Sequence, residues 1–246
     1  MRVRARGGAA SAVGLESTDR SVGFADSCRP RAFIFSLLQA PNTMPTLTVH
    51  DPHTVKFYRD EPSLFATVAG FLGQGLVDGQ PALLIATAAH RVGILRELSA
   101  RLIDVDRAMR TRELIVLDAS DTLDLFMRGE AIDATAFESV MGAVLDGAVR
   151  GRTLVVVRAF GEMVDVLWKQ GRHDAAIRLE ILWNALATRY NFALLCGYSM
   201  GHFFTQTGLF EEVCRQHSHV MPPDAKVGAR PINGTTVTST PAPAVG

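Results

Sequence analysis

Several features that mark whole classes of protein are scarce in this sequence. The net charge is zero, with 25 basic and 25 acidic residues, so the chain lacks the basic excess that supplies most of the affinity for nucleic acid. No apolar run approaches the roughly 18 residues that a membrane-spanning helix needs. Three cysteines, Cys28, Cys196 and Cys214, without CxxC spacing, favour a reducing compartment over a disulfide framework. The composition predicts a cytoplasmic globular protein that binds neither nucleic acid nor a membrane.

The motifs of nucleotide and metal chemistry are also missing. A phosphate-binding P-loop needs Gly-Lys followed by Ser or Thr, and none of Lys56, Lys169 and Lys226 follows a glycine. No GxGxxG lies between a predicted strand and a helix. A metal site needs three or four convergent ligands, and His50 and His53 stand close in sequence without an HExxH motif or a local Cys/His cluster to complete a set. We therefore expect no cofactor and no metal.

One catalytic motif is present, because residues 197–201 read Gly-Tyr-Ser-Met-Gly and match the GxSxG pattern of hydrolases. The motif follows an apolar run and precedes a possible helix, which is the context that a nucleophilic Ser199 requires. A hydrolase would also need an acid and a histidine later in the chain. His202, His217 and His219 follow, but little chain remains to carry the acid. A hydrolase using Ser199 is therefore an alternative to the main hypothesis.

The 246 residues, of which 48% are hydrophobic, are enough for one large domain. Residues 1–43 show no apolar period, and we interpret them as a disordered extension or as upstream sequence translated from a misplaced start. A patterned sequence begins at Met44. Residues 222–246 are rich in Pro, Gly and Thr and predict a flexible tail. The predicted domain, 44–221, holds 17 basic and 21 acidic residues, which further disfavours DNA binding.

Within this domain, short apolar runs alternate with amphipathic segments. The runs predict strands at 82–86, 113–117, 153–157 and 192–195, with 54–58 as an edge strand. Apolar residues at helical spacing predict helices over 60–76, 91–102, 162–168 and 173–189, and two more after Ser120 and Asp133. This alternation predicts an α/β domain of three layers, with a mostly parallel sheet of about five strands covered on both faces.

Ligands of open α/β sheets bind beyond the carboxyl ends of the strands. Polar side chains follow each predicted strand there, and they form our candidate ligand-binding set: His90, Arg91, Asp118, Arg158, Glu162 and Tyr198. An arginine such as Arg158 can hold a polar or anionic ligand through two hydrogen bonds, and Glu162 can orient it. Arg158 and Glu162 could equally pair with each other, and polar strand ends can simply be solvated.

Large aromatic side chains are predicted to fill the core, namely Phe126, Phe137, Trp168 and Trp183. Glu180 and Asn184 share one face of the helix over 173–189 at a spacing of four residues. We expect that face to be solvated, although Asn184 beside Trp183 could make a buried polar contact.

Taken together, the stretches RAFGEMV (158–164), LEILWN (179–184) and FALLCGY (192–198) resemble the MEDS domain, the methanogen/methylotroph sensory domain of dichloromethane-responsive regulators. The resemblance extends from His53 to Phe204. It implies a RecA-like fold without a working P-loop and a non-enzymatic domain that senses a small organic compound. It also adds His53 to the candidate ligand-binding set. Because we find no helix-turn-helix or kinase segment, we expect signalling through a regulatory partner, such as a kinase or a transcription regulator. A pure protein-interaction module is a further alternative.

Overall fold

The computed structural model describes residues 52–202 and 207–224. The predictions for residues 1–43 and for most of the tail lie outside these ranges. The described strands and helices are β1 (His53–Tyr58), α1 (Glu61–Val77), β2 (Ala82–Ala86), α2 (Ala88–Ala100), α3 (Val105–Arg110), β3 (Leu114–Asp118), α4 (Ala119–Asp124), β4 (Met127–Arg128), β5 (Ala131–Ile132), α5 (Ala134–Val149), β6 (Val157–Gly161), α6 (Met163–Lys169), α7 (His173–Ala187), β7 (Phe192–Ser199), α8 (Thr207–Arg215) and β8 (His219–Met221).

Six of the strands form one parallel sheet in the order β3-β2-β6-β7-β1-β8, while β4 and β5 form a separate hairpin. The predicted α/β architecture with a mostly parallel sheet is confirmed. The sheet has six strands rather than about five, because β8 adds a strand beside β1. With only three residues, β8 is too short to show a strand period in the sequence.

Helices cover both faces of the sheet and create two cores. One core packs α1, α2 and α3 against Leu84, Phe160 and Leu195. The other packs α4 to α8 against the opposite face and contains the four predicted aromatic core residues, all of them buried: Phe126, Phe137, Trp168 and Trp183. Among the described helices, none combines the length and the apolar character needed to cross a bilayer.

The start of α1 shows how local sequence sets an element boundary. Asp60 is the N-cap residue, and its carboxylate accepts a hydrogen bond from the Ser63 backbone N–H at 2.9 Å. Pro62 occupies the first turn, where a missing N–H costs nothing. The helix start predicted from Asp60, Glu61 and Pro62 is therefore confirmed.

The strand predicted at 153–157 is wrong, because β6 comprises Val157–Gly161. Leu154, which suggested a buried strand, is fully exposed and has a positive φ of 56°. The shift moves Arg158 from beyond the strand to its second position, opposite Ala82 at the start of β2. Four residues of extended chain separate the Cα atoms of Arg158 and Glu162 by about 13 Å. Arg158 lies close to Asp78 instead, and among the described residues no ion pair joins it to Glu162.

Candidate functional site

Two neighbouring strands in the middle of the sheet lead into helices on opposite faces. β2 continues into α2, which belongs to one core, while the adjacent β6 continues into α6, which belongs to the other. The two connections diverge at the carboxyl ends of these strands, which is the arrangement that forms a ligand crevice in open α/β sheets. Such a topological switch point is where ligands bind in open α/β sheets.

A polar network, which we call the switch-point network, lies at this position and consists of Glu61, Thr87, His90 and Glu162. His90 and Glu162 are buried, Thr87 is half-buried and Glu61 is exposed. One oxygen of the buried Glu162 carboxylate accepts the backbone N–H of Thr87, the N-cap residue of α2, and the other oxygen contacts His90 Nδ1. His90 Nε2 lies 3.6 Å from Glu61. The protein's own carboxylate thus sits at a helix N-terminus, the position where other folds bind a phosphate.

The charge of His90 follows from this contact. Burial opposes the charged imidazolium, but the hydrogen bond and the negative charge of Glu162, together with Glu61, outweigh it and raise the pKa of His90 above its ordinary value. The His90–Glu162 pair is therefore an ion pair over a wider pH range than a free histidine would allow.

A second buried carboxylate, Asp165 in α6, joins the ends of β1 and β7. It accepts hydrogen bonds from the Tyr58 hydroxyl at 3.0 Å and from the Ser199 backbone N–H at 2.9 Å, and Lys169 Nζ lies 2.7 Å away. Burial, reinforced by Asp165, raises the pKa of Tyr58, so its phenol stays neutral. Within residues 52–202 and 207–224, no hydrogen bond joins the Ser199 hydroxyl to a histidine, and the His202 side chain lies outside what the structure describes.

Arg91 and Asp118 form an ion pair at 2.9 Å between α2 and the end of β3. Both side chains are partly exposed, and Asp118 also caps α4 by accepting the backbone N–H groups of Ser120 and Asp121. These two predicted residues lie at the carboxyl edge of the sheet as expected, where their contacts with each other and with the cap already explain their positions.

Arg158 does not lie at that edge. Its buried side chain passes Gly75, its guanidinium lies over the Phe71 ring at 5.3 Å, and its nearest carboxylate, Asp78, is 3.9 Å away. A buried arginine stacked on a ring and close to the end of α1 packs that helix against β6. The predicted placement of Arg158 beside Glu162 at one ligand site is therefore corrected.

The remaining predicted residues, His53 and Tyr198, lie inside the second core, on the sheet face covered by α7. His53 Nε2 is 3.1 Å from Glu180 and 3.4 Å from Cys196 Sγ, and the Tyr198 hydroxyl donates to Glu180 at 2.9 Å. His217 approaches the same carboxylate at 3.4 Å. We call His53, Glu180, Cys196 and His217 the His–Glu–Cys cluster. These are four buried groups of the kinds that hold a metal ion.

Sequence reasoning missed three members of this cluster. Glu180 lies in the apolar stripe of α7, one turn from Ala176 and next to Leu179, and is fully buried rather than solvated. A carboxylate inside such a stripe was the available signal. Cys196 and His217 carried no signal, since their meeting with His53 depends on the pairing of β1 with β7 and on the turn after α8.

A surface cleft of about 310 Å³ lies apart from both networks. Its lining residues come from the β4–β5 turn, the α6–α7 loop with the start of α7, and α8: Glu130, Gly171, Arg172, His173, Asp174, Ala175 and Leu209. Arg172 Nε lies 2.9 Å from Glu130 across the cleft. The volume is at the lower end of the range of small-molecule pockets.

Comparison with known families gives one match. The sequence model described as "MEDS: MEthanogen/methylotroph, DcmR Sensory domain" matches residues 52–218, which is more than half of the chain. A search of curated proteins finds no match. The matched range runs from the residue before β1 to the residue before β8, and so includes both the switch-point network and the His–Glu–Cys cluster.

Proposed function

The chain belongs to the MEDS family of sensory domains, and from this premise we propose that it binds a small organic compound at the switch-point crevice and signals through a partner protein. The observation that carries the proposal is the buried Glu162 carboxylate, which contacts the N-terminus of α2 and His90 at once. Buried polar groups require partners, and a ligand with hydroxyl or amine groups supplies replacements for those it displaces.

The charge of the crevice selects the chemistry of the ligand. Glu61, Glu162 and Asp165 place three carboxylates near the ends of β1, β2 and β6, against His90 and Lys169. This excess of negative charge would repel an anionic compound, whereas it would not repel a neutral or cationic polar compound. We therefore propose a neutral or cationic organic ligand, which keeps the polar and sets aside the anionic of the two ligand classes that Arg158 suggested.

The same contacts offer a route for the signal. Glu162 is the N-cap residue of α6, and its carboxylate accepts a hydrogen bond from the backbone N–H of Thr87, the N-cap residue of α2. A ligand that replaces Glu162 as the partner of the Thr87 N–H or of His90 breaks the contact between α2 and α6, which lie on opposite faces of the sheet. A partner that binds one of these helices, such as a kinase or a transcription regulator, would then distinguish the two arrangements.

A thermal-shift screen of small neutral and cationic organic compounds tests the proposal. A ligand at 100 times its dissociation constant stabilises the folded state by about 2.7 kcal/mol, which corresponds to about 5–11 °C in Tm for a domain of this size. We expect Glu162→Gln to abolish the shift. Glu113→Gln is the matched control, because it removes the same charge from a more exposed pair with Arg107, and it should leave the shift intact.

The cleft at Arg172 is a competing location for the ligand. Asp174→Trp fills this cleft from an exposed position and should leave the shift unchanged. A shift that survives Glu162→Gln and disappears in Asp174→Trp would place the ligand in the cleft and contradict the crevice. A screen without any shift, together with a partner that binds the ligand-free protein, would favour the pure interaction module.

A further inference from the structure

The His–Glu–Cys cluster brings four potential metal ligands from four different parts of the chain into the dry interior. His53 begins β1, Glu180 lies in α7, Cys196 lies in β7, and His217 follows α8. Each residue is at most 4% exposed. One ligand atom from each residue lies within 4.8 Å of the corresponding atoms of the other three.

Both histidines present the same nitrogen to the cluster, because their other nitrogen is held from outside. His53 Nδ1 lies 2.8 Å from Asn184 Oδ1, and Asn184 Nδ2 donates to the Gln216 carbonyl at 2.9 Å, which fixes the orientation of the amide. His53 Nδ1 must therefore be the donor. His217 Nδ1 donates to the Val213 carbonyl at 2.7 Å. Metal-binding histidines are oriented by outer hydrogen bonds of this kind.

The inner nitrogens of both histidines face the Glu180 carboxylate. His217 Nε2 has no hydrogen-bond partner among the described residues, and it lies 3.4 Å from Glu180 Oε1. The Tyr198 hydroxyl donates to the same carboxylate. A buried ring nitrogen without a hydrogen-bond partner calls for an explanation such as an ion, and a cation between this nitrogen and the carboxylate would satisfy both groups.

The spacing of His53, Glu180 and Cys196 fits such a cation. Zinc binds nitrogen and oxygen at about 2.0–2.2 Å and sulfur at about 2.3 Å in a tetrahedron, which places neighbouring ligand atoms about 3.3–3.7 Å apart. His53 Nε2 lies 3.1 Å from Glu180 Oε2 and 3.4 Å from Cys196 Sγ, and the Cys196–Glu180 distance is also 3.4 Å. These three distances match tetrahedral edges within a few tenths of an ångström, while the distances that involve His217 are at most 4.8 Å, so that ring would move inwards by about 1 Å on binding.

We propose that His53, Glu180, Cys196 and His217 form a closed, four-coordinate site for a zinc-like divalent cation. On binding, the Cys196 thiol releases its proton to solvent and the sulfur bonds to the metal. The resulting thiolate and the Glu180 carboxylate balance the two positive charges. Sulfur and imidazole ligands disfavour Mg²⁺ and Ca²⁺, which take oxygen. The cation would join the turn after α8 to β1, β7 and α7.

Cobalt titration of the full chain tests the site, after removal of metal with a chelator and dialysis. Co²⁺ replaces zinc in tetrahedral sites and gives a thiolate charge-transfer band and strong visible d–d bands. We expect both bands to saturate at one equivalent and to disappear when Zn²⁺ is added. Absence of the bands from wild-type protein that remains folded by circular dichroism, or binding without the thiolate band, would overturn the proposal whatever the variants do.

Matched cysteine variants locate the metal. Cys196→Ser should remove the charge-transfer band and weaken binding by at least about 100-fold, whereas Cys214→Ser, the same change at another buried cysteine, should retain both band and affinity. A band that persists in Cys196→Ser would show that another cysteine binds the cobalt, which would refute the site.

Asn184 tests the outer hydrogen bond separately. As a positioning residue that orients His53, Asn184→Ala should weaken affinity about 10–100-fold while keeping the thiolate band, because the sulfur ligand is unchanged. Unchanged cobalt affinity in folded Asn184→Ala would contradict the assigned orientation of His53 and, with it, the four-ligand site.

Discussion

Replacing Gly93 by alanine has two opposing effects on the stability of the fold, and the size of each is known. Gly93 is buried in the interior of α2, where alanine is favoured over glycine by about 1 kcal/mol. An added Cβ, however, would lie 2.6 Å from Phe65 Cζ and closer still to two other atoms of that ring. Ordinary contacts begin near 3.4 Å, so the ring would have to move by about 1 Å.

The clash should exceed the gain in helix propensity. Phe65 is buried between α1 and α2 and packs edge-on against the His90 ring with centroids 5.3 Å apart, so the ring has little space to retreat. Overpacking of this kind costs about 1–3 kcal/mol, and a ring confined in this way places the cost near the upper end. We therefore expect Gly93→Ala to lower the free energy of unfolding by about 1–2 kcal/mol and Tm by about 2–8 °C.

Two other helical glycines provide controls with the opposite sign. A Cβ on Gly70 in α1 or on Gly147 in α5 would meet no heavy atom within 4 Å. Gly70→Ala and Gly147→Ala should therefore raise the unfolding free energy by about 0.5–1 kcal/mol. Urea denaturation followed by circular dichroism measures all three. A Gly93→Ala protein as stable as the controls would refute the close packing of α1 on α2.

Two further predictions concern the buried polar networks. The pKa of His90 is raised in the folded protein, so its pairing with Glu162 stabilises the fold fully below the unfolded pKa of about 6.5. This stabilisation is lost as the pH rises through the folded pKa. The fall in unfolding free energy across that pH window should be smaller in His90→Gln than in the wild type, and an identical pH profile would contradict the ion pair. Asp165→Ala leaves two buried donors, the Tyr58 hydroxyl and the Ser199 backbone N–H, without their acceptor and should cost about 2–5 kcal/mol. Tyr58→Phe should cost about 1 kcal/mol, and Ser199→Ala should change stability little because the backbone makes that contact; equal losses in Asp165→Ala and Ser199→Ala would show that the Ser199 side chain is involved.

Much of the fold could be predicted because its signals are local. Strand β2 is a run of five apolar residues, and α1 begins with an acidic residue and a proline. The prediction failed at β6, where Arg158 and Gly161 interrupt the apolar run of a strand that is nevertheless buried throughout. Burial of Arg158 depends on the Phe71 ring and on the space left by Gly75, which belong to α1 and could not be assigned to β6 beforehand.

The candidate sites depend even more strongly on contacts between distant parts of the chain, which the sequence does not reveal. His90 and Glu162 follow β2 and β6, so the rule for strand ends brought them to the correct edge of the sheet. His53 and His217 meet only because the first and the last parts of the domain lie side by side, on a face that no strand-end rule addresses. Metal-ligand motifs are recognised by close spacing along the chain, and this cluster has none.

The short edge strand β8 also determines where the chain enters and leaves the domain. Thr54 at the start of β1 is paired with His219, and Lys56 is paired with Met221, whose next residue, Pro222, accepts a hydrogen bond from Lys56 Nζ at 3.0 Å. Residues 52 and 222 therefore lie on neighbouring strands about 17 Å apart, given the spacing between strands and along them. A domain whose ends lie on neighbouring strands can be inserted into a surface loop of a host protein through short linkers that span this distance. This geometry suits the domain for insertion into a host protein as a reporter of the ligand that we propose.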